Sequence, residues 1–285
     1  MDDDLVRALL QEQHPDLAEL ELQEVVGGWG NQMWRLGDEL AVRMPRQDRT
    51  PDLLLKEYQL VPDIAARVPL PVQTPVRLGK PSDRFPRTWL VTTWVAGEAG
   101  DYAPITDPAA ADVLVDFLQA LHTESPADAP VSDRTGPPRS RVEDFERLRT
   151  HVGAPEEARV VWEEALAAPE WRRPRVWLHG DLHPANVVVA DGTLAGVIDL
   201  EEVCAGDPAN DLAAAWVLLP DGAADRVFER YPVDDATVRR ARGWAVVRAM
   251  FLMSMGRNGE EGLPGGKKHW GPLGRAALER VIQSS

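Results

Sequence analysis

One cysteine in 285 residues, Cys204, leaves no internal disulfide to form, and a chain without disulfides suits a reducing compartment. Long apolar runs are missing as well. Stretches such as LAAAWVLL from Leu212 fall far short of the roughly 20 residues that a membrane helix needs. Basic side chains are scarce: 31 Lys and Arg against 46 Asp and Glu give a formal net charge of −15. That is the wrong sign for gripping a phosphate backbone. The opening MDDDLVRALL is acidic, where a secretory leader is basic. These absences predict a cytoplasmic protein that binds neither nucleic acid nor membrane.

The remaining sequence is ordinary globular material, with 44% hydrophobic and 27% charged residues, and its length is sufficient for a large core. Residues 2–13 have helical spacing. The runs LELQEVV, QMWRL and ELAVRM alternate with GGWGN and GDE, which predicts an antiparallel meander. TPDLLLKEYQLVPDIAARV is expected to be a helix with Thr50 as N-cap and a stop or kink at Pro62. VQTPVRLG and TWLVTTWV read as two further strands. AGEAGD then breaks the pattern, so a lobe boundary is expected there, with residues 1–96 in one lobe and 97–285 in the other. Past it, DPAAADVLVDFLQALH is a periodic helix with Asp107 as its expected cap. Residues 123–140 read as loop, 141–171 as helix, and nearly everything after Asp207 as helix or loop. The fold class is α+β: a small antiparallel sheet with one helix, then a larger, mainly helical lobe.

The dense polar chemistry lies in HGDLHPANVVVADGTLAGVID, His179 to Asp199. Two β-like runs flank Asp191-Gly192, a good hairpin turn. Such a hairpin brings Asn186 and Asp199 to one edge, where an amide oxygen and a carboxylate suit Mg²⁺. His179-Gly180-Asp181-Leu182-x-x-x-Asn186 fits H-x-D-L-x-x-x-N, the kinase catalytic loop with its central Arg replaced by Gly. In that loop the Asp accepts the proton of the acceptor hydroxyl and the Asn holds Mg²⁺. A second metal-binding Asp is needed just beyond, and Asp199 in VIDLEE supplies it. A metallohydrolase on His179, Asp181 and His183 is the rival reading. It leaves Asn186 and Asp199 without a role and finds no other histidine cluster.

HGDLHPAN, VIDLEE and GDPANDLA together resemble the aminoglycoside phosphotransferase family of antibiotic kinases. The resemblance covers roughly Val25 to Trp216 and implies a two-lobed, protein-kinase-like fold. It implies transfer of the γ-phosphate of ATP or GTP, with Mg²⁺, to a hydroxyl of a small molecule. Asp181 is then the catalytic base, with Asn186 and Asp199 on the metal. Gly28, in GGWGN, sits where the family has its nucleotide-covering loop. Arg43 stands where kinases carry a phosphate-pairing Lys, with Glu57 as its helix partner. The backbones of Thr93 and Val95 are expected to read the base, with Gly97 turning the chain away and Ile198 against the base. His179, Asp207 and Asp211 are expected to steady the catalytic loop, and His183 to be an exposed polar residue.

The acceptor is expected to be cationic and hydroxylated, an aminoglycoside or other antibiotic. Residues 1–96 hold 11 basic and 15 acidic side chains and residues 97–285 hold 20 and 31, so the acidic excess falls in the second lobe. Glu201, Glu202 and Trp270 are the expected acceptor-binding residues. The relatives also include kinases of macrolides, peptide and nucleoside antibiotics and metabolites, so these acceptors stay open. A non-catalytic nucleotide-binding module is the reading from another class. The 10 tryptophans offer either a flat wall for a larger acceptor or helix-packing core.

Overall fold

The computed structural model describes residues 1–25, 30–46 and 51–284. It divides into two compact units: residues 1–67, 71–96 and 196–201, and residues 68–70, 97–195 and 202–285. Among the described residues, no helix is long and apolar enough to cross a membrane.

In the first unit, α1 (Asp3–Gln13) precedes β1 (Leu22–Val25), β2 (Asn31–Leu36) and β3 (Leu40–Pro45). After α2 (Pro51–Ala65) come β4 (Pro75–Gly79) and β5 (Trp89–Thr93). The five strands form one sheet in the order β1-β2-β3-β5-β4, antiparallel throughout. Helix α1 starts because Asp2 accepts the Leu5 amide at 3.0 Å, satisfying one orphan donor of the first turn. Its apolar face, Val6, Leu9 and Leu10, packs with Trp34, Val42, Met44, Trp89 and Val91 of the sheet. Buried Trp34 keeps its polar edge satisfied by donating to Asp3 at 2.8 Å. Helix α2 does not stop at Pro62 but runs to Ala65. The missing amide falls in the last turn, which closes with Ala66 donating to the Pro62 carbonyl at 3.1 Å. The proposed cap Thr50 lies outside the described residues.

The second unit begins with β6 (Glu98–Ala99) and α3 (Ala110–Leu121). Asp107 does not cap α3 directly: its side chain accepts the Ala109 amide at 2.8 Å and shapes the turn before the helix. Helices α4 (Val142–Val152) and α5 (Glu156–Ala167) lead to β7 (Val176–Leu178) and the hairpin β8 (Val187–Ala190) and β9 (Thr193–Val197). At its turn Asp191 and Gly192 both have positive φ, 51° and 77°, as a two-residue hairpin turn requires. The last two residues of β9 belong with the first unit. There Val197 accepts from Gln73 at 3.0 Å and donates to Pro71 at 2.9 Å.

Then follow β10 (Cys204–Gly206), α6 (Ala209–Leu212), α7 (Ala214–Val217), α8 (Ala223–Arg230), α9 (Asp235–Glu260) and α10 (Trp270–Gln283). The 26-residue α9 is the central post, packed by α4, α5, α6, α7 and α10. Trp216, Trp244 and Trp270 are all buried, so these tryptophans are packing elements.

Gly79 ends β4 against the ring of Trp89, and a Cβ there would lie 1.9 Å from an indole carbon. Trp89 is fully buried and has no room to retreat. Gly79→Ala is therefore expected to lower stability by about 1–3 kcal/mol, as overpacking does. An unchanged urea midpoint would show that the sheet yields there.

Candidate active site

Arg43, on β3, is 2% exposed. Its guanidinium donates to Glu57 of α2 at 2.6 Å and to Asp199 at 3.1 Å, and lies 3.6 Å from Glu201. Three carboxylates thus converge on this one cation within the first unit. Burial pulls Arg43 down, but Glu57, Asp199 and Glu201 together raise it above the ordinary arginine value. Burial pushes the Glu57 carboxyl up to about 7, aided by Asp199 and Glu201 and opposed by Arg43. Its second oxygen, Oε2, is buried without a hydrogen-bond partner among the described residues.

Asp199 has a φ of 60°, a left-handed conformation that costs a non-glycine residue of order 1–3 kcal/mol. The segment carrying it is fixed by the Pro71–Gln73 contacts of Val197. Thr93 spends its amide on Thr74 at 2.8 Å, so its carbonyl is what it has for a base. The Val95 amide has no backbone partner among the described residues. Ile198, half-buried, belongs to the same unit. Gly28 lies outside the described residues.

The catalytic loop belongs to the second unit, where its backbone is held at nearly every peptide. Asp211, fully buried, accepts the amides of His179 at 2.7 Å and Gly180 at 3.0 Å. Burial alone would raise its carboxyl, but bonding to His122 and the charges of His122, His179 and Arg248 leave it below the usual range. His122 itself bridges Asp211 and Tyr231, at 3.3 and 2.7 Å. His179, buried, accepts the Asp181 amide on Nδ1 at 3.2 Å. The Asn186 amide nitrogen donates to the Asp181 carbonyl at 2.9 Å, which leaves its oxygen as the group it offers a metal. Asp207 accepts Ala209 at 3.0 Å and pairs with buried Arg240 at 2.6 Å.

The Asp181 side chain is 31% exposed. Burial would raise its carboxyl, but His183, Arg248, Arg134 and His179 hold it below the usual carboxylate range. Arg134, half-exposed, lies 3.4 Å from both Asp181 and Glu202. Ser132 also donates to Glu202, at 3.3 Å.

Three expectations need correction or refinement. Glu201, expected to face the acceptor, is buried in the first unit beside Arg43. Its neighbour Glu202 is in the second unit, near Asp181's partner Arg134. Leu200–Glu202 is a 3-10 turn, and such a turn sends consecutive side chains about 120° apart. His183 is buried rather than exposed: Nδ1 accepts Ala185 at 3.3 Å and the ring packs 5.2 Å from Trp270. Trp270 offers no open wall, because its ring is buried and its nitrogen donates to Asp101 at 2.8 Å. The motifs missed Arg134, His122, Arg240 and Arg248. Only Arg248 left a local trace, as a charge inside the apolar run WAVVRAMFLM.

The family model of the APH phosphotransferase enzyme family matches residues 21–249. The chain belongs to this family. No curated protein matches it in sequence, whereas solved structures match in fold along nearly the whole chain. The phosphotransferase is 20% identical to the GDP and kanamycin complex of APH(2")-IIia, over 97% of each chain, with a TM-score of 0.70. It is 18% identical to the GDP complex of wild-type aminoglycoside 2'-phosphotransferase-IIIa, over 99% of each, at 0.69. For macrolide 2'-phosphotransferase MphH from Brachybacterium faecium the values are 19%, 96% of this chain, 97% of that one, and 0.63. The kinase-like fold expected from the motifs is the fold found: an antiparallel sheet with its helix, then a mainly helical part.

With a carboxyl raised from 4.5 to about 7, folded phosphotransferase keeps on Glu57 a proton that the unfolded chain releases in that window. Its stability relative to Glu57→Gln is therefore expected to fall as pH rises between those values. Urea denaturation of both proteins at about pH 5 and about pH 7.5 measures this. A constant difference would mean that Glu57 ionises in the fold as it does in water.

Proposed function

We propose that this phosphotransferase moves the γ-phosphoryl group of ATP or GTP, with Mg²⁺, to a hydroxyl of a small cationic antibiotic, an aminoglycoside first among them. The observation that carries the reading is the Asn186–Asp181 bond. It ties the metal-seeking amide to the residue that carries the base, on a loop whose backbone Asp211 and His179 already hold. Phosphoryl transfer asks a protein chiefly for such positioning and for charge neutralisation.

Residues 1–96 serve as the nucleotide lobe and 97–285 as the catalytic and acceptor lobe. Arg43, held by Glu57, pairs with the nucleotide phosphates. Of the carboxylates gathered at Arg43, Asp199 is the most accessible, and the oxygens of Asp199 and Asn186 are the hard donors Mg²⁺ prefers. When bound, Mg²⁺ neutralises charge on the phosphates. The Thr93 carbonyl and Val95 amide meet the base, with Ile198 beside it and Gly28 in the covering loop. Asp181, ionised, orients the acceptor hydroxyl and takes its proton. Glu202 binds the acceptor's cationic group, whereas Glu201 acts with Arg43 and Trp270 only supports the acceptor site from behind.

Structural relatives bound to GDP, ADP or ATP support a nucleotide donor. Those bound to kanamycin, gentamicin or streptomycin support a hydroxylated cationic acceptor. Arg134 favours a second acceptor class, because it already neutralises Asp181 and Glu202. A macrolide, less highly charged, leaves that arrangement in place, and macrolide kinases are among the relatives. The metallohydrolase reading loses ground because His179 and His183 each spend a ring nitrogen on a loop amide.

Coupled assays of Mg²⁺·ATP and Mg²⁺·GTP turnover against aminoglycosides, macrolides, peptide and nucleoside antibiotics test the reading. Acceptor-stimulated turnover is expected, and Asp181→Asn is expected to cut it by ~10²-fold or more at unchanged nucleotide affinity. Near-normal turnover in that variant removes Asp181 from the base role. Asp199→Ala is expected to abolish the Mg²⁺-dependent part of nucleotide binding. Identical affinities with and without Mg²⁺ in the wild type would overturn the metal assignment.

A further inference from the structure

Arg248 stands in the middle of α9 among apolar neighbours and is 9% exposed. Its guanidinium donates to three neutral oxygens: the Asn210 carbonyl, the Asn210 side-chain oxygen at 2.7 Å and the Gly180 carbonyl at 3.1 Å. No carboxylate accepts a hydrogen bond from it among the described residues, although Asp211 and Asp181 act on it through space. Burial accordingly holds it below the ordinary arginine value. Taking a guanidinium out of water without an ion-pair contact is costly, and an apolar side chain would suit this helix better. The charge must therefore serve what it touches.

Besides Asn210, which takes two of those bonds, it touches the peptide joining Gly180 to Asp181. The carbonyl of that peptide accepts from Arg248, and its N–H donates to His179 at 3.2 Å. The preceding peptide, 179–180, is fixed through its N–H to Asp211 at 3.0 Å. Both backbone angles leading into Asp181 are set by these three bonds. Gly180 itself has a φ of 83°, and a Cβ there would lie 2.9 Å from the Glu202 carbonyl. No arginine fits at position 180, where the H-R-D form of the motif carries one. Here the guanidinium comes instead from a helix 68 residues further along the chain.

We propose that Arg248 is a positioning residue for phosphoryl transfer, fixing the 180–181 peptide and placing a buried positive charge behind the Asp181 carboxylate. The role rests on Asp181 being the base. Arg248 touches neither nucleotide nor acceptor, so its loss acts on turnover and spares binding.

The test compares Arg248→Met and Arg248→Lys in the full chain. It follows Mg²⁺·ATP and Mg²⁺·GTP affinity and turnover, with water alone and with the acceptor that stimulates the wild type. Met is expected to lower kcat ~10²-fold, the scale on which small misplacements act, with nucleotide Kd and acceptor KM within about twofold. Lys, keeping the charge but only part of the bonding, is expected to recover about tenfold of that loss. A Met variant with kcat near wild type overturns the proposal. So does a parallel loss of nucleotide affinity in both variants, or a Lys variant no better than Met. If the Met variant does not fold, Lys decides: a lowered kcat at unchanged Kd supports the role, and a wild-type kcat overturns it. Asp181→Asn is run alongside, and normal turnover there sinks the base assignment and the positioning role with it.

Discussion

The charge balance around Arg43 is the constraint on which the first unit depends. A guanidinium and the carboxylate of Glu57 are both withdrawn from water, at 2% and 0% exposure, and their attraction must offset a large desolvation cost. Asp199 and Glu201 add two further negative charges to the same cation. Burial and the two acidic neighbours push Glu57 towards protonation, and one of its oxygens has no hydrogen-bond partner among the described residues. Carboxylates gathered in this way favour further positive charge nearby. That is the electrostatic form that the proposed phosphate and Mg²⁺ roles call for.

The second unit solves the complementary problem of holding one carboxylate still while keeping it wet. It does so through peptides. Asp211 and Arg248 hold the same stretch, one taking the amides of His179 and Gly180 and the other the Gly180 carbonyl. A buried carboxylate and a buried guanidinium thereby compensate each other across the loop without touching. Behind Asp211 the His122–Tyr231 contact ties in α3 and the chain after α8. Each member would be costly alone, so the network holds as a whole or fails as a whole.

What could be read beforehand divides along the same line. The meander, the Asp-Gly turn and the long helices are local patterns, and the chain spells them out. Arg43 and Glu57 were legible as a pair because strand and helix follow each other closely. Residues that act across long separations left no periodic signature. Nothing near Arg248 says that it reaches Gly180, and nothing near Val197 says that it anchors on Pro71 and Gln73. Glu201 was misplaced for a different reason. Adjacent carboxylates look equivalent in a sequence, and only the tight turn at Leu200–Glu202 separates them into different units.

Charge also bears on the acceptor, and here near and far effects pull differently. The acidic excess of residues 97–285 attracts cations over a distance set by ionic strength. At Asp181, the proposed base, the field is already answered, because Arg134 lies 3.4 Å from both Asp181 and Glu202. A half-exposed pair with contacts of 3.4 Å holds weakly, on the scale of about 0–1 kcal/mol. An acceptor ammonium can therefore exchange with the guanidinium at little cost, provided it offers both carboxylates a donor in return. Attraction to the second unit selects for positive charge in general. On the proposed reading, the exchange at Arg134 selects for a single cation placed beside the acceptor hydroxyl, which is the stricter demand.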